Sequence, residues 1–166
     1  IQMPEMTLLG WFHTILGILA VLSGFYTLYK YRVISYEVSS GKLYILVTLL
    51  VAGSALGIYN QGGFGVAHIL GVLTLIALAG GYIMERYKWF GSFSKYFQAL
   101  GYTSTLLFHM IPAITDFLRR LPVGDTFIDS FEDPLLLNFH LSFLIIYLVG
   151  IIAQMIWLRK QAFLST

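Results

Sequence analysis

There is no cysteine in the 166 residues, which excludes disulfides, thiolate metal centres, iron–sulfur clusters and covalent c-type haem attachment. Charge is scarce as well. Only 11% of residues are Asp, Glu, Lys or Arg, against about a quarter in an ordinary soluble domain. The chain carries no His-Glu-x-x-His pattern, no closely spaced His-x-x-His, no glycine-rich phosphate loop, no nucleophile–base pair and no surface suited to nucleic acid. The adjacent carboxylates Glu132 and Asp133 sit in a polar segment and need no catalytic reading. With no internal repeat and no linker, residues 1–166 read as a single transmembrane domain.

What remains is a sequence that is 58% hydrophobic with a mean hydropathy of +0.79. A helix needs roughly 20 mostly apolar residues to cross a bilayer. Five stretches approach that length: Thr7–Leu28, Leu43–Tyr59, Val66–Met84, Tyr96–Phe117 and Leu135–Trp157. They predict an all-α integral membrane bundle of five helices. No small-residue cleavage site follows the first stretch, so it reads as a retained helix rather than a signal peptide. Trp11, Trp89 and Trp157 fall near span ends, where indole rings anchor helices at the interface. The run Gly53-Ser54-Ala55-Leu56-Gly57 provides the small faces that let membrane helices approach closely.

The connections alternate in charge. Lys30, Arg32, Lys42, Arg86, Lys88, Lys95, Arg159 and Lys160 lie on one side; Glu5, Asp116, Asp125, Asp129, Glu132 and Asp133 lie on the other, opposed only by Arg119 and Arg120. The positive-inside rule then predicts an external N-terminus and a cytoplasmic C-terminus, in a multi-pass protein of a bacterial cytoplasmic membrane. Asn60-Gln61-Gly62-Gly63 closes an outer hairpin, and the segment from Arg119 to Asp133 is too polar to enter the bilayer. That segment reads as a solvated loop, with a cap over the outer mouth of the bundle, or a partner contact, as the alternatives.

Four histidines, His13, His68, His109 and His140, each belong to a different hydrophobic stretch and fall on the same predicted side. Titratable side chains at membrane depth are costly and mark sites in bundle interiors. Around His13 one helical face reads Gly10, His13, Gly17, Ala20, Gly24, Thr27, leaving room for a close neighbour or a flat macrocycle. The fourth stretch has the most polar face: Gln98, Tyr102, Thr105, His109, Ala113, Asp116, Arg120. The fifth answers with His140, Tyr147 and Gln154 at seven-residue spacing, which predicts an approach of Gln98 to Gln154. At the rise of an α-helix, His109 lies about 12 Å in from Phe117 and His140 about 9 Å in from Pro134, depths compatible with one shared ligand.

Two matched imidazoles in an apolar cavity suit haem b. His109 with His140 is the preferred axial pair and His13 with His68 the second, with Tyr102, Thr105, Asp116 and Tyr147 around them and Arg119 and Arg120 available to propionates. Electrons would then pass to a quinone or a partner protein. The competing reading is a Cu, Zn or Fe site built from the four histidines or from three with Asp116, with Met3 and Met6 as soft donors for Cu(I). The runner-up to haem, ahead of the metal site, has no cofactor: the histidines bond helices together in an accessory subunit of a larger membrane complex.

The stretch Gly62-Gly63-Phe64-Gly65-Val66-Ala67-His68-Ile69-Leu70-Gly71-Val72-Leu73-Thr74-Leu75 resembles a segment of an uncharacterised family of bacterial multi-span membrane proteins, in which a Gly-Gly-Phe turn leads to a histidine opening a helix. His13, Gly24 and Gly41-Lys42-Leu43-Tyr44 extend the resemblance over roughly the first 85 residues. It implies His13 and His68 as the matching positions and brings no established reaction. The family's His-Arg pair before the second span is replaced here by Glu37-Val38-Ser39-Ser40. Membrane cytochromes of the b type are similar in architecture only.

Overall fold

The structure, a computed structural model, describes residues 6–59 and 63–164. Met3, Glu5 and most of the predicted hairpin turn, Asn60-Gln61-Gly62, therefore lie outside the described residues. Five helices follow in order: α1 (Leu8–Tyr31), α2 (Ser39–Ala55), α3 (Val66–Tyr87), α4 (Ser94–Arg120) and α5 (Pro134–Leu164), with a single 3₁₀ turn at Gly91–Phe93 leading into α4. The described residues contain no β-strand.

Helix boundaries follow local chemistry. The Thr7 hydroxyl accepts the Gly10 N–H at 3.1 Å and starts α1. Arg32 and Lys88 end α1 and α3 in the left-handed conformation, with φ of 67° and 50°. Asp133 accepts the Leu135 N–H at 2.8 Å, and Pro134, whose missing N–H costs nothing in a first turn, opens α5. α2 begins four residues before the expected Leu43 and stops at Ala55, because the Gly53–Gly57 run has little side chain to sustain its last turn. α5 continues through Leu164, beyond the expected end at Trp157.

α4 is the central helix, packed against α1, α3 and α5, while α1 packs on α2 and α2 on α3. This position explains why α4 is the least apolar of the five. Tyr102, Thr103, Thr105 and His109 are all buried among neighbouring helices rather than turned to the surroundings. The core beside it comprises Ala20, Ile34, Tyr44, Ile45, Val47, Val51, Leu78, Tyr102 and Leu106. The glycine stripe of α1 lies inward as its periodicity predicts: Gly10, Ala20, Gly24 and Thr27 are buried, and the ring of Tyr44 occupies the space a side chain at Gly24 would need.

Among the described residues, three helices, α1, α3 and α5, are long and apolar enough to cross a membrane. Leu22, Ile146 and Val149 remain more than 60% exposed, a surface matched to lipid acyl chains rather than water. α2 has 17 residues and falls short of that length by itself.

Two glutamines behave differently from expectation. Gln98 and Gln154 approach the same turn without a hydrogen bond between them. The Gln98 amide donates to the Ile34 carbonyl at 3.1 Å, and the Gln154 amide donates to the Arg32 carbonyl at 2.8 Å. Both converge on the α1–α2 turn because its carbonyls have no helical N–H partners. Gln154 also accepts the Thr103 hydroxyl at 2.9 Å, so it ties α5 to α4 and to the turn at once. Gln154→Leu should cost about 1–3 kcal/mol by orphaning these groups. It should also raise amide exchange in the last two turns of α5; unchanged exchange there would remove the anchoring role.

Candidate functional site

A cavity of about 1040 Å³ lies between α1, α2, α3 and α4 and is closed at one end by the segment after α4. Its walls include His13, Gly17, Val51, Gly71, His109 and Asp116. Most of the polar segment Arg119–Asp133 is exposed, as expected of a solvated loop, while Leu121, Val123, Gly124, Ile128 and Asp129 also line that end of the cavity. The Phe127 N–H returns to the Leu121 carbonyl at 2.9 Å, and the Ile128 N–H to the Leu118 carbonyl at 3.2 Å. Ile128 is buried with Leu118 and Leu136, which draws Leu121–Asp129 over the cavity.

His13 is held by α2. Its Nδ1 lies 3.1 Å from the Val51 carbonyl and 3.0 Å from the Ser54 hydroxyl oxygen. The Ser54 hydroxyl itself donates to the Val51 carbonyl at 2.9 Å, so both atoms facing Nδ1 are acceptors and Nδ1 carries the proton. Nε2 is then the nitrogen with the free lone pair. One turn further, a side chain at Gly17 would meet no heavy atom within 4 Å. The lone pair and the open space thus belong to the same wall.

His109 enters from α4, and its Nε2 bonds the Thr48 hydroxyl at 3.0 Å. The Tyr44 hydroxyl is within reach of Thr48 and bonds the Thr105 hydroxyl at 2.5 Å. Thr105 donates to the Tyr102 carbonyl at 2.6 Å. Since that carbonyl can only accept, Thr105 donates to it and the Tyr44 hydroxyl donates to Thr105. His13 therefore spends an N–H on the scaffold, and His109 is tied to it through the Thr48 hydroxyl. On α4, Pro112 supplies no N–H to the Phe108 carbonyl one turn back, and Phe108 and Pro112 both line the cavity beside His109.

The other two histidines are elsewhere. His140 bonds the Thr115 hydroxyl at 3.2 Å, and because Thr115 donates to the Ile111 carbonyl, His140 Nε2 is the donor. It does not line the cavity, so His109 and His140 serve different interfaces of α4. His68 caps the start of α3: its Nδ1 accepts the Gly65 N–H at 3.0 Å, and its ring lies between Tyr59 and Phe64, with centroids 4.5 and 5.0 Å away. Its buried Nε2 has no hydrogen-bond partner among the described residues.

The structure therefore brings together His13 and His109, with Asp116 on the same wall, and leaves His68 and His140 outside. Asp116 approaches Arg120 at 4.0 Å. Tyr102 donates to Glu85 and Tyr147 bonds Ser104, so neither reaches the histidines. Thr105 reaches His109 only through Tyr44 and Thr48. Met6 lines the cavity. Among the described residues, no group of three or more His, Asp or Glu side chains is arranged to hold a metal ion.

Periodicity did not reveal Thr48, Val51 and Ser54, the groups on α2 that hold the two rings. It also missed Glu85, which accepts from Ser35, the Tyr36 N–H and Tyr102 at the opposite end of α3. Glu85 lies just past the third hydrophobic stretch, beside Arg86 and Lys88, where an acid reads as an ordinary charged helix end. No protein-family model matches this chain, and no curated protein or solved structure matches it either.

Proposed function

We propose that this chain is a small membrane b-type haem or redox protein, with the cofactor in the cavity between α1, α2, α3 and α4. The observation that carries this reading is His13. Its Nδ1 proton is committed to a backbone carbonyl and a serine, the second-partner arrangement that orients ligating histidines and raises the basicity of the other nitrogen. The cavity volume of about 1040 Å³ lies at the upper end of the range for small-molecule sites. Gly17 leaves the adjacent wall free for a flat ring. His13 would therefore hold the group through Nε2.

Haem bound there supplies one-electron chemistry. The chain's own residues would do the remaining work. His13 would ligate, His109 would present a polar ring held by Thr48, and Val21, Leu22, Leu70 and Phe108 would give the group an apolar wall. The charge asymmetry supports placing this cavity in the outer half of a bacterial cytoplasmic membrane, with the N-terminus outside, five passes, and a quinone or another membrane subunit as electron partner. A metal held by histidines alone is less well supported, because His13 and His109 are the pair and no third ligand joins them.

The test is a dithionite-reduced minus oxidised visible spectrum of the full chain purified in mild detergent, before and after addition of haemin. Low-spin or high-spin haem b bands are expected in the wild type and in His140→Ala, with at least a tenfold weaker affinity in His13→Ala, as for loss of an axial bond worth more than about 1.4 kcal/mol. Bands that persist unchanged in His13→Ala would overturn the ligand assignment. A preparation that neither contains nor takes up haem would overturn the cofactor.

A further inference from the structure

His13 and His109 line one cavity, yet their Nε2 atoms are in different states. His13 keeps Nε2 free, because its ring is held through Nδ1. His109 is held through Nε2 itself, 3.0 Å from the hydroxyl of Thr48, a side chain with no exposed surface. The fully buried ring of Tyr44 stands edge-on to the His109 ring, with centroids 6.3 Å apart. α2 thus grips His109 by the nitrogen that a haem iron would need. The other nitrogen, Nδ1, adjoins the ring carbon that carries the side chain, and a macrocycle approaching it would strike that stem. His68 and His140 make their bonds outside the cavity. Of the other neutral donors, the thioethers of Met6 and Met110 line it. Met6 Cε lies 3.9 Å from where a side chain at Gly10 would begin, one turn before His13 on the same helix.

We infer that a haem held by His13 would keep one axial position without a protein ligand, because Thr48 withholds His109, and that this position takes a neutral diatomic molecule of the carbon monoxide or dioxygen class. This site rests on the haem reading, and the class of molecule it takes is the added element. Axial ligation and access beside the iron decide whether a haem protein passes electrons or binds small molecules. The apolar part of the wall, Val21, Leu22, Leu70 and Phe108, favours an uncharged molecule, since an anion would lose its hydration there without a partner. Thr48 is then a positioning residue, acting through His109.

The experiment uses the full chain in mild detergent, loaded with haemin, reduced with dithionite and titrated with carbon monoxide. The wild type should give a five-coordinate, high-spin ferrous spectrum whose Soret band shifts as carbon monoxide binds. Thr48→Val removes the hydroxyl at nearly constant volume and releases His109 Nε2. It should turn the spectrum low-spin and weaken carbon monoxide binding by roughly tenfold or more, because the gas must then displace an imidazole. Thr48→Ser keeps a hydroxyl and should stay high-spin. Adding His109→Ala to Thr48→Val should restore the high-spin spectrum.

A wild type that takes up haemin with a low-spin, six-coordinate spectrum overturns the open position and leaves the haem reading standing. Loss of that low-spin spectrum in His109→Ala would name His109 as the second ligand, and its survival there would name another donor such as Met110. A folded Thr48→Val that stays high-spin overturns the role of Thr48. If no haemin is taken up, the haem reading falls and the open position falls with it. The wild-type spectrum decides the open position by itself, so a poorly folded variant does not shield it from refutation.

Discussion

Gly101→Ala is expected to destabilise the bundle by about 1–3 kcal/mol, and Gly101→Leu by more, the range for forcing volume into a packed interface. The cause is backbone against backbone. A side chain at Gly101 would place its first carbon 2.8 Å from the Ala77 carbonyl oxygen and 3.0 Å from the Gly81 nitrogen. Neither atom can swing aside as a flexible side chain could. Gly81 is equally committed, because the ring of Tyr102 lies across it. α3 and α4 thus interlock through Gly81, Gly101 and Tyr102. Between apolar helices in a lipid-like surrounding, such close van der Waals packing is a main source of association. Gly80 is the matched control, since a side chain there meets nothing within 4 Å. Unfolding in mixed micelles of increasing denaturing-detergent content reads the difference directly. If Gly101→Ala were as harmless as Gly80→Ala, the interlock would not be the element that joins α3 to α4.

The second large effect is expected at Glu85. One carboxylate oxygen accepts the Ser35 hydroxyl at 2.5 Å and the Tyr36 N–H at 2.9 Å; the other accepts the Tyr102 hydroxyl at 2.8 Å and lies 3.1 Å from the same N–H. Glu85→Leu deprives three donors of their acceptor, and Tyr102 is fully buried. At about 1–3 kcal/mol for each buried orphan, discounted because Glu85 is itself only partly buried, the total loss should be about 3–5 kcal/mol. Glu85→Gln keeps an acceptor oxygen and should lose less. A double-mutant cycle separates the pair from the rest: Tyr102→Phe should cost clearly less in the Glu85→Leu background than in the wild type. Additive effects would mean that Tyr102 and Glu85 do not act as a unit. Glu85 also holds the α1–α2 turn against α3, so Glu85→Leu should expose the Arg32–Val38 segment to proteolysis.

How far the sequence foretold these features differs from residue to residue. The inward face of α1 was legible because a helical repeat places Gly10, Ala20, Gly24 and Thr27 on one side whatever lies opposite. The polar face of α4 was legible for the same reason, and His109 and Asp116 do lie toward one cavity. The partners of those faces were not legible. His109 and His140 have matching depths along their helices, yet depth says nothing about rotation. The ring of His109 turns to Thr48 on α2, and His140 turns to Thr115 on α4. Gln98 and Gln154 were paired on antiparallel spacing, but unsatisfied carbonyls at a turn attract amides more strongly than another amide does.

Hydropathy and charge by themselves determined an all-helical bundle with apolar outer surfaces and a strong charge asymmetry between its ends, because both depend only on the order of residues along each helix. Periodicity determined which face of α1 and α4 turns inward. Tertiary structure alone decided that His13 and His109 share a cavity while His68 and His140 do not. It also decided that α2 holds both rings of that pair, and that Phe131 in the segment after α4 lies against Arg119. These outcomes depend on how each helix is rotated and shifted against its neighbours, and that is set by contacts between residues far apart in sequence, such as Gly101 on Gly81 and Tyr44 on Gly24.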